Sequence, residues 1–208
     1  MAKTSENYTE LLNSAIINDD LKTVKDMHKQ GFDFNQPDAR DNYPIGVAVA
    51  HRKIDAVVFI KSISNININA QSGVYKTPPV LEALQVRDID IFKMLLDDEN
   101  VDISQPNILG SSILDQDIII EMIKNRNLKE FYFAALPKIT NVLKDVTGKG
   151  ANIISLLIHF NRVDYINETL KHFIPQKRDI KTLECNCTND RLETIISIGE
   201  QKQDKVKK

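Results

Sequence analysis

An all-α fold built from repeated helical hairpins is predicted by three features of the chain. Three short segments look alike: FDFN (Phe32 to Asn35), ININ (Ile66 to Asn69) and VDIS (Val101 to Ser104), each following an apolar helical stretch that ends in polar residues. Two of them are followed within about ten residues by a proline that opens another apolar run, YPIGVAVA and TPPVLEAL. The first apolar residues of the expected second helices, Leu21, Ile54, Ile89, Leu128, Val163 and Leu192, are separated by 33, 35, 39, 35 and 29 residues. A period of this size marks a repeat architecture, because one helix pair cannot cover its own apolar face and must stack on a neighbour.

Taken in order, the first three units read ELLNSAIINDDLKTVKDMHKQGFDFN, YPIGVAVAHRKIDAVVFIKSISNININ and TPPVLEALQVRDIDIFKMLLDDENVDIS. The fourth, DIIIEMIKNRNLKEFYFAALPKI, and the fifth, NIISLLIHFNRVDYINETLKHF, keep the two-helix rhythm but lack the Thr-Pro start and most of the small residues. In the sixth, TLECNCTN takes the place of a first helix and RLETIIS that of a second. This pattern resembles the ankyrin repeat, which runs from a TPLH-like helix start through a small-residue pair to a second helix and a DVN-like turn. The resemblance implies a helical solenoid of ankyrin type with short hairpin loops, capped at both ends. It places repeats at about 8–36, 37–70, 71–104, 105–143, 144–176 and 177–199 in one domain spanning 1–199, with a charged, disordered tail at 200–208.

Within that frame the small residues Ala15, Ala48 and Ala83 let first helices approach closely, while Leu21, Val24, Val57, Phe59, Ile91, Met94 and Leu95 fill the layer between helix rows. Pro44 and Pro78 or Pro79 suit helix starts, where a missing N–H costs nothing. Gly31 is expected to close the first unit's second helix in a left-handed conformation. The segment 97–116 is longer than a repeat loop needs, which fits either a simple insertion or a functional loop. DVTGKGAN, at 145–152, contains GKG but neither the GxxxxGK[ST] spacing nor a preceding strand, so it reads as a hairpin with turn residues.

Composition narrows the function. The chain has 208 residues, 42% of them hydrophobic, and a net charge of -2, which argues against an electrostatic footprint for nucleic acid or anionic membrane. Its opening, MAKTSENYTE, lacks an apolar signal core, and runs such as IISLLI are too short to span a bilayer, so a cytoplasmic protein, monomeric when free, is expected. The only cysteines, Cys185 and Cys187, would point about 200° apart on a helix, which disfavours a bridge between them. The nearest histidine, His172, has no partner at metal spacing, so both thiols read as small buried hydrophobes and no metal or cofactor is expected. HExxH, GxSxG, GxGxxG, CxxC and EF-hand patterns are absent, and the four histidines fall at unrelated points of different repeats.

The ankyrin resemblance therefore implies a non-enzymatic module that binds a partner protein through its concave face and loop fingers. Carried onto this sequence, it points to Arg40, Asn42 and Tyr75 at finger tips and to His51, Gln85, Lys124, His159 and Phe160 at inner helix ends, with Tyr75 and Phe160 as aromatic anchors. Phe160 serves equally well as a core residue. Two other classes remain open: a scaffold or inhibitory subunit held in a complex, and an enzyme on a helical frame, which would need titratable groups gathered in one pocket. The Ile, Asn and Lys bias with worn repeats is similar in style to secreted ankyrin proteins of intracellular bacteria or large viruses, which would put an effector in a host cytoplasm.

Overall fold

The described residues form five helix pairs, four of them closed by one recurring turn. The structure, a computed structural model, describes residues 5–139 and 153–172. The pairs are α1 (Ser5–Ile17) with α2 (Leu21–Lys29), α3 (Pro44–Ala50) with α4 (Ile54–Lys61), and α5 (Pro79–Gln85) with α6 (Ile89–Leu96). Beyond them come α7 (Gln116–Lys124) with α8 (Lys129–Ala135), and α9 (Ile153–His159) with α10 (Val163–His172). Among the described residues there is no strand, only an isolated antiparallel pairing of Ser72 with Thr77. No helix there is long and apolar enough to cross a membrane. Cys185, Cys187 and Leu192, and with them the sixth repeat, the 145–152 joint and the 200–208 tail, lie outside the described residues.

The turn inside a pair is a left-handed helix ending. Asp19, Arg52, Arg87 and Asn161 have φ of 63°, 53°, 57° and 55°. In each case the next residue's N–H reaches back to the carbonyl of a residue five earlier: Asp20 to Ala15 at 2.9 Å, Lys53 to Ala48 at 2.8 Å, Asp88 to Ala83 at 3.0 Å and Arg162 to Leu157 at 2.8 Å. This satisfies a carbonyl that the helix end would leave bare. Asp20 and Asp88 then cap the second helices, their carboxylates accepting the N–H of Thr23 and Ile91 at 3.0 Å. The fourth pair departs from the pattern. Asn125 is extended at φ -87° and ψ 108°, its side chain accepts the N–H of Asn127 at 3.1 Å, and the chain enters α8 through a 3-10 turn at Arg126–Leu128. An asparagine that bonds its own backbone competes with the helix ending here.

Contacts among Cα atoms gather into two compact units, Met1–Leu114 and Asp115–Lys208, the boundary falling inside the expected fourth repeat. In the first unit α3 packs between α1 and α5, and α4 between α2 and α6, giving two helix layers. Ala48 and Ala83 are wholly buried and Ala15 nearly so, as close approach of first helices requires. Pro44 opens α3, and Pro79 opens α5 with Pro78 extended before it. Gly31 is left-handed at φ 84°.

Burial corrects part of the expected core. Val24, Val57, Ile91 and Leu95 are fully buried, but Leu21, Phe59 and Met94 are only half-buried, and the anchor Ile54 is exposed. The anchors mark where second helices begin. The residues three further on, Val24, Val57, Phe92, Phe131 and Ile166, are buried in every pair, one helical turn into each element where its inward face is covered, and the anchor Leu128 is itself buried.

The turn segments FDFN and ININ also explain their asparagines. Asn35 Nδ2 donates to Asn65 O at 2.9 Å while its Oδ1 accepts the N–H of Asn67 at 2.8 Å. Asn69 repeats the device on Asn100 O, at 2.8 Å, and the N–H of Asp102, at 2.9 Å. Each amide thus ties one turn to the next. The 97–116 segment is not a bare insertion. It contains the third such turn and a third hairpin, and it buries Val101, Ile103 and Ile113.

In the second unit α8 packs against α10, and α7 against α9. Tyr132 and Thr169, both fully buried, share a hydrogen bond of 2.9 Å between their hydroxyls, and the Thr169 hydroxyl donates to Tyr165 O at 2.8 Å. Lys129 forms an ion pair with Asp164 on the surface of the same unit.

Candidate functional site

Three hairpins precede the first helices and share one construction. Asp38 N–H bonds to Asn42 O at 3.0 Å, Ser72 and Thr77 exchange two bonds of 3.0 Å, and Asn107 N–H bonds to Ser111 O at 2.9 Å. Left-handed residues close them at Asp41, Lys76 and Gly110. The side chain at the first position holds the loop. Asp38 Oδ1 accepts the N–H of Arg40 at 2.8 Å and of Asn42 at 2.9 Å, and Asn107 Oδ1 accepts those of Leu109 at 2.9 Å and Ser111 at 3.0 Å.

Consecutive hairpins are tied to one another, since Gly73 N–H donates to Asp41 O at 2.9 Å and Ile108 N–H to Tyr75 O at 3.0 Å. A Lys76–Asp41 ion pair of 3.0 Å spans the first two. Ser72 Oγ accepts the Tyr43 N–H at 3.1 Å where α3 begins.

Between the first two hairpins and helices α1, α3 and α5 lies an open groove of about 680 Å³. Four of the residues expected to bind a partner, Arg40, Asn42, His51 and Tyr75, line it together. Gln85 is exposed at the end of α5 but outside the groove lining. Lys124, His159 and Phe160 belong to the second unit. There His159 closes α9 and is exposed, Phe160 is half-buried beside it with ring centroids 4.8 Å apart, and Lys124 Nζ sits 5.3 Å over the Phe160 ring. The site is therefore not one surface of eight residues. It is a four-residue groove in the first unit and a three-residue cluster in the second, with Gln85 apart from both.

Groove electrostatics are uneven. Glu10, Asp38 and Glu82 contribute carboxylates, against Arg40 and His51. Burial acts to raise the Asp38 carboxyl, but hydrogen bonds from the Asn42 N–H, the Asn13 and Asn42 side-chain amides and the Arg40 N–H outweigh it and hold the group below the usual range. Glu82 is half-buried, burial pushes its carboxyl up, and it has no hydrogen bond or ion pair among the described residues. Asn13, only 4% exposed, donates through Nδ2 to Asp38 Oδ2 at 2.9 Å and to Asn42 O at 3.2 Å. Its Oδ1 is buried with no partner.

Apolar side chains stand at the hairpin tips. Val74 is 78% exposed, Tyr75 57%, Ile108 61% and Leu109 71%. Of these, sequence reasoning picked out only Tyr75, and it missed Glu82 and Asn13 as well. The signal for Val74, Ile108 and Leu109 was present: apolar dipeptides between turn residues, as in SGVYK and PNILGSS, have no helical neighbours to pack against and so remain in water. Among the described residues no group of three His, Cys, Asp or Glu is placed to hold a metal ion, and no histidine is hydrogen-bonded to a hydroxyl. No protein-family model matches the chain, and no curated protein matches it significantly.

Proposed function

We propose that this protein is a divergent ankyrin-repeat protein whose first unit is a non-enzymatic module for binding another protein. The observation that carries this reading is the groove between α1, α3, α5 and the hairpins, edged by the exposed tips Val74 and Tyr75. Within the first unit, the 33- and 35-residue spacings of second-helix starts, the recurring left-handed endings and the asparagine ties between turns favour a stack of successive pairs. Large apolar side chains fully in water cost free energy that burial against a partner recovers, and an aromatic at the edge of a cleft is a typical energetic anchor.

The exposed Ile108 and Leu109 favour a second reading, a subunit held permanently in a complex. That reading expects a chain that self-associates when purified alone, which analytical ultracentrifugation would detect. The test of the main reading is partner capture with a photo-crosslinking residue at Val74, in wild type and in Tyr75→Ala. Tyr75→Ala should keep the far-ultraviolet helical signal and lower crosslinked yield by about tenfold, the effect of losing one anchor of about 1–2 kcal/mol. Equal yields from both proteins would remove the groove edge from the binding surface.

A further inference from the structure

The groove has a carboxylate to spare. Asn13 spends both amide hydrogens on Asp38 and Asn42, which fixes the first hairpin against α1 and leaves Oδ1 buried without a partner. Glu82, from α5 on the other side of α3, brings a half-buried carboxylate that nothing in the described structure neutralises. A desolvated charge without a counter-ion costs free energy, which a ligand group of opposite charge recovers. Asp38 is already satisfied by four donated hydrogen bonds, so it fixes the hairpin and is not a vacant acceptor. Three carboxylates, of Glu10, Asp38 and Glu82, line the groove against the guanidinium of Arg40, which sits exposed on a hairpin while Glu82 is half-buried.

From these observations we infer that the groove seats a basic side chain, lysine or arginine, carried on a segment of the partner protein. Its N–H donors meet Glu82, and Val74 and Tyr75 cover an apolar residue beside it. The inference rests on the binding reading above and names the chemistry of the occupant. The opposite choice, an acidic segment held by Arg40 and His51, would leave Glu82 without a counter-ion and add like charge beside Glu10 and Glu82. Glu82 also lies in the first turn of α5, where a carboxylate suits the helix end, so stability has to be measured alongside binding.

A random decapeptide library displayed on phage, selected against the full chain, tests the inference. Wild type should enrich peptides with Lys or Arg next to an apolar residue. The best of these should bind Glu82→Gln about tenfold more weakly or worse, with melting temperature nearly unchanged, and should shift the side-chain amide resonances of Asn13. Glu82→Lys should lose the basic preference, whereas Tyr75→Ala should weaken every peptide but keep that preference. Peptides without a basic residue, peptides rich in acid, or binding indifferent to Glu82→Gln would each overturn the inference while leaving the binding reading standing. No peptide retained by wild type would overturn both.

Discussion

Asn69 Oδ1 accepts the backbone N–H of Asp102 at 2.9 Å, thirty-three residues away in the chain, while the same amide donates to Asn100 O at 2.8 Å. A side chain with one donor and one acceptor on adjacent atoms matches a peptide's spacing, so one amide serves two backbone groups. Asn69→Ala should lower unfolding free energy by about 1–2 kcal/mol, from one lost pairing and two backbone groups returned to partial solvent. Asn69→Asp should lose at least as much, because a carboxylate would then face the Asn100 carbonyl. Urea unfolding followed by circular dichroism reads both, and an unchanged midpoint would mean that water replaces the tie at no cost.

Gly46 lies against the second hairpin. A Cβ added there would stand 2.0 Å from Ser72 Oγ and 2.5 Å from Ser72 Cβ. Because the β-carbon of Ser72 cannot rotate away, α3 and the hairpin must separate. Gly46→Ala should therefore cost about 1–3 kcal/mol, and Ser72→Gly in the same chain should restore part of it. Thermal unfolding of the single and double variants checks the coupling.

Arg87 holds φ at 57°, a conformation that costs a residue with a side chain about 1 kcal/mol. It makes no side-chain hydrogen bond or ion pair among the described residues. Arg87→Gly should raise the melting temperature slightly, the gain being reduced by glycine's larger freedom in the unfolded chain. The companion change Arg52→Gly should gain less or lose, since the Arg52 guanidinium bonds to Val86 O at the end of the adjacent first helix. A scanning calorimeter separates the two.

Tyr132 predicts how stability falls in alkali. Burial pushes its hydroxyl up to about 12, partly opposed by the hydrogen bond to Thr169. The unfolded chain loses this proton near the ordinary 10.0 and the folded one does not, so unfolding is favoured as pH climbs between the two values. The contribution is intact below about pH 10 and is lost towards pH 12, at about 1.4 kcal/mol per unit. Absorbance at the tyrosinate band should show Tyr132 titrating last, together with unfolding. Thr169→Val should leave the buried Tyr132 hydroxyl without its hydrogen-bond partner and cost about 1–3 kcal/mol. A Tyr132 proton lost near the ordinary 10.0 would contradict its burial.

The helix pairs were legible because their punctuation is local. Proline before an apolar run, Gly31 after α2 and the aspartates ahead of α2 and α6 act within a few residues, and the starts of α2, α4, α6 and α10 fall on Leu21, Ile54, Ile89 and Val163. The groove was half legible. Arg40, Asn42, His51 and Tyr75 carry turn or helix-end positions that can be counted along the chain, but Lys124, His159 and Phe160 share those positions in a different unit.

What the sequence alone determined is the succession of helices, turns and hairpins, because a period near 33 residues and the capping residues are properties of neighbours in the chain. What only the tertiary structure decided is which side chains end with nothing to bond. Asn13 and Glu82 look ordinary in the sequence. Their unmet demand arises from the hairpin at Asp38 taking both hydrogens of one and from helix packing that half-buries the other, and neither event is written within a few residues of the site.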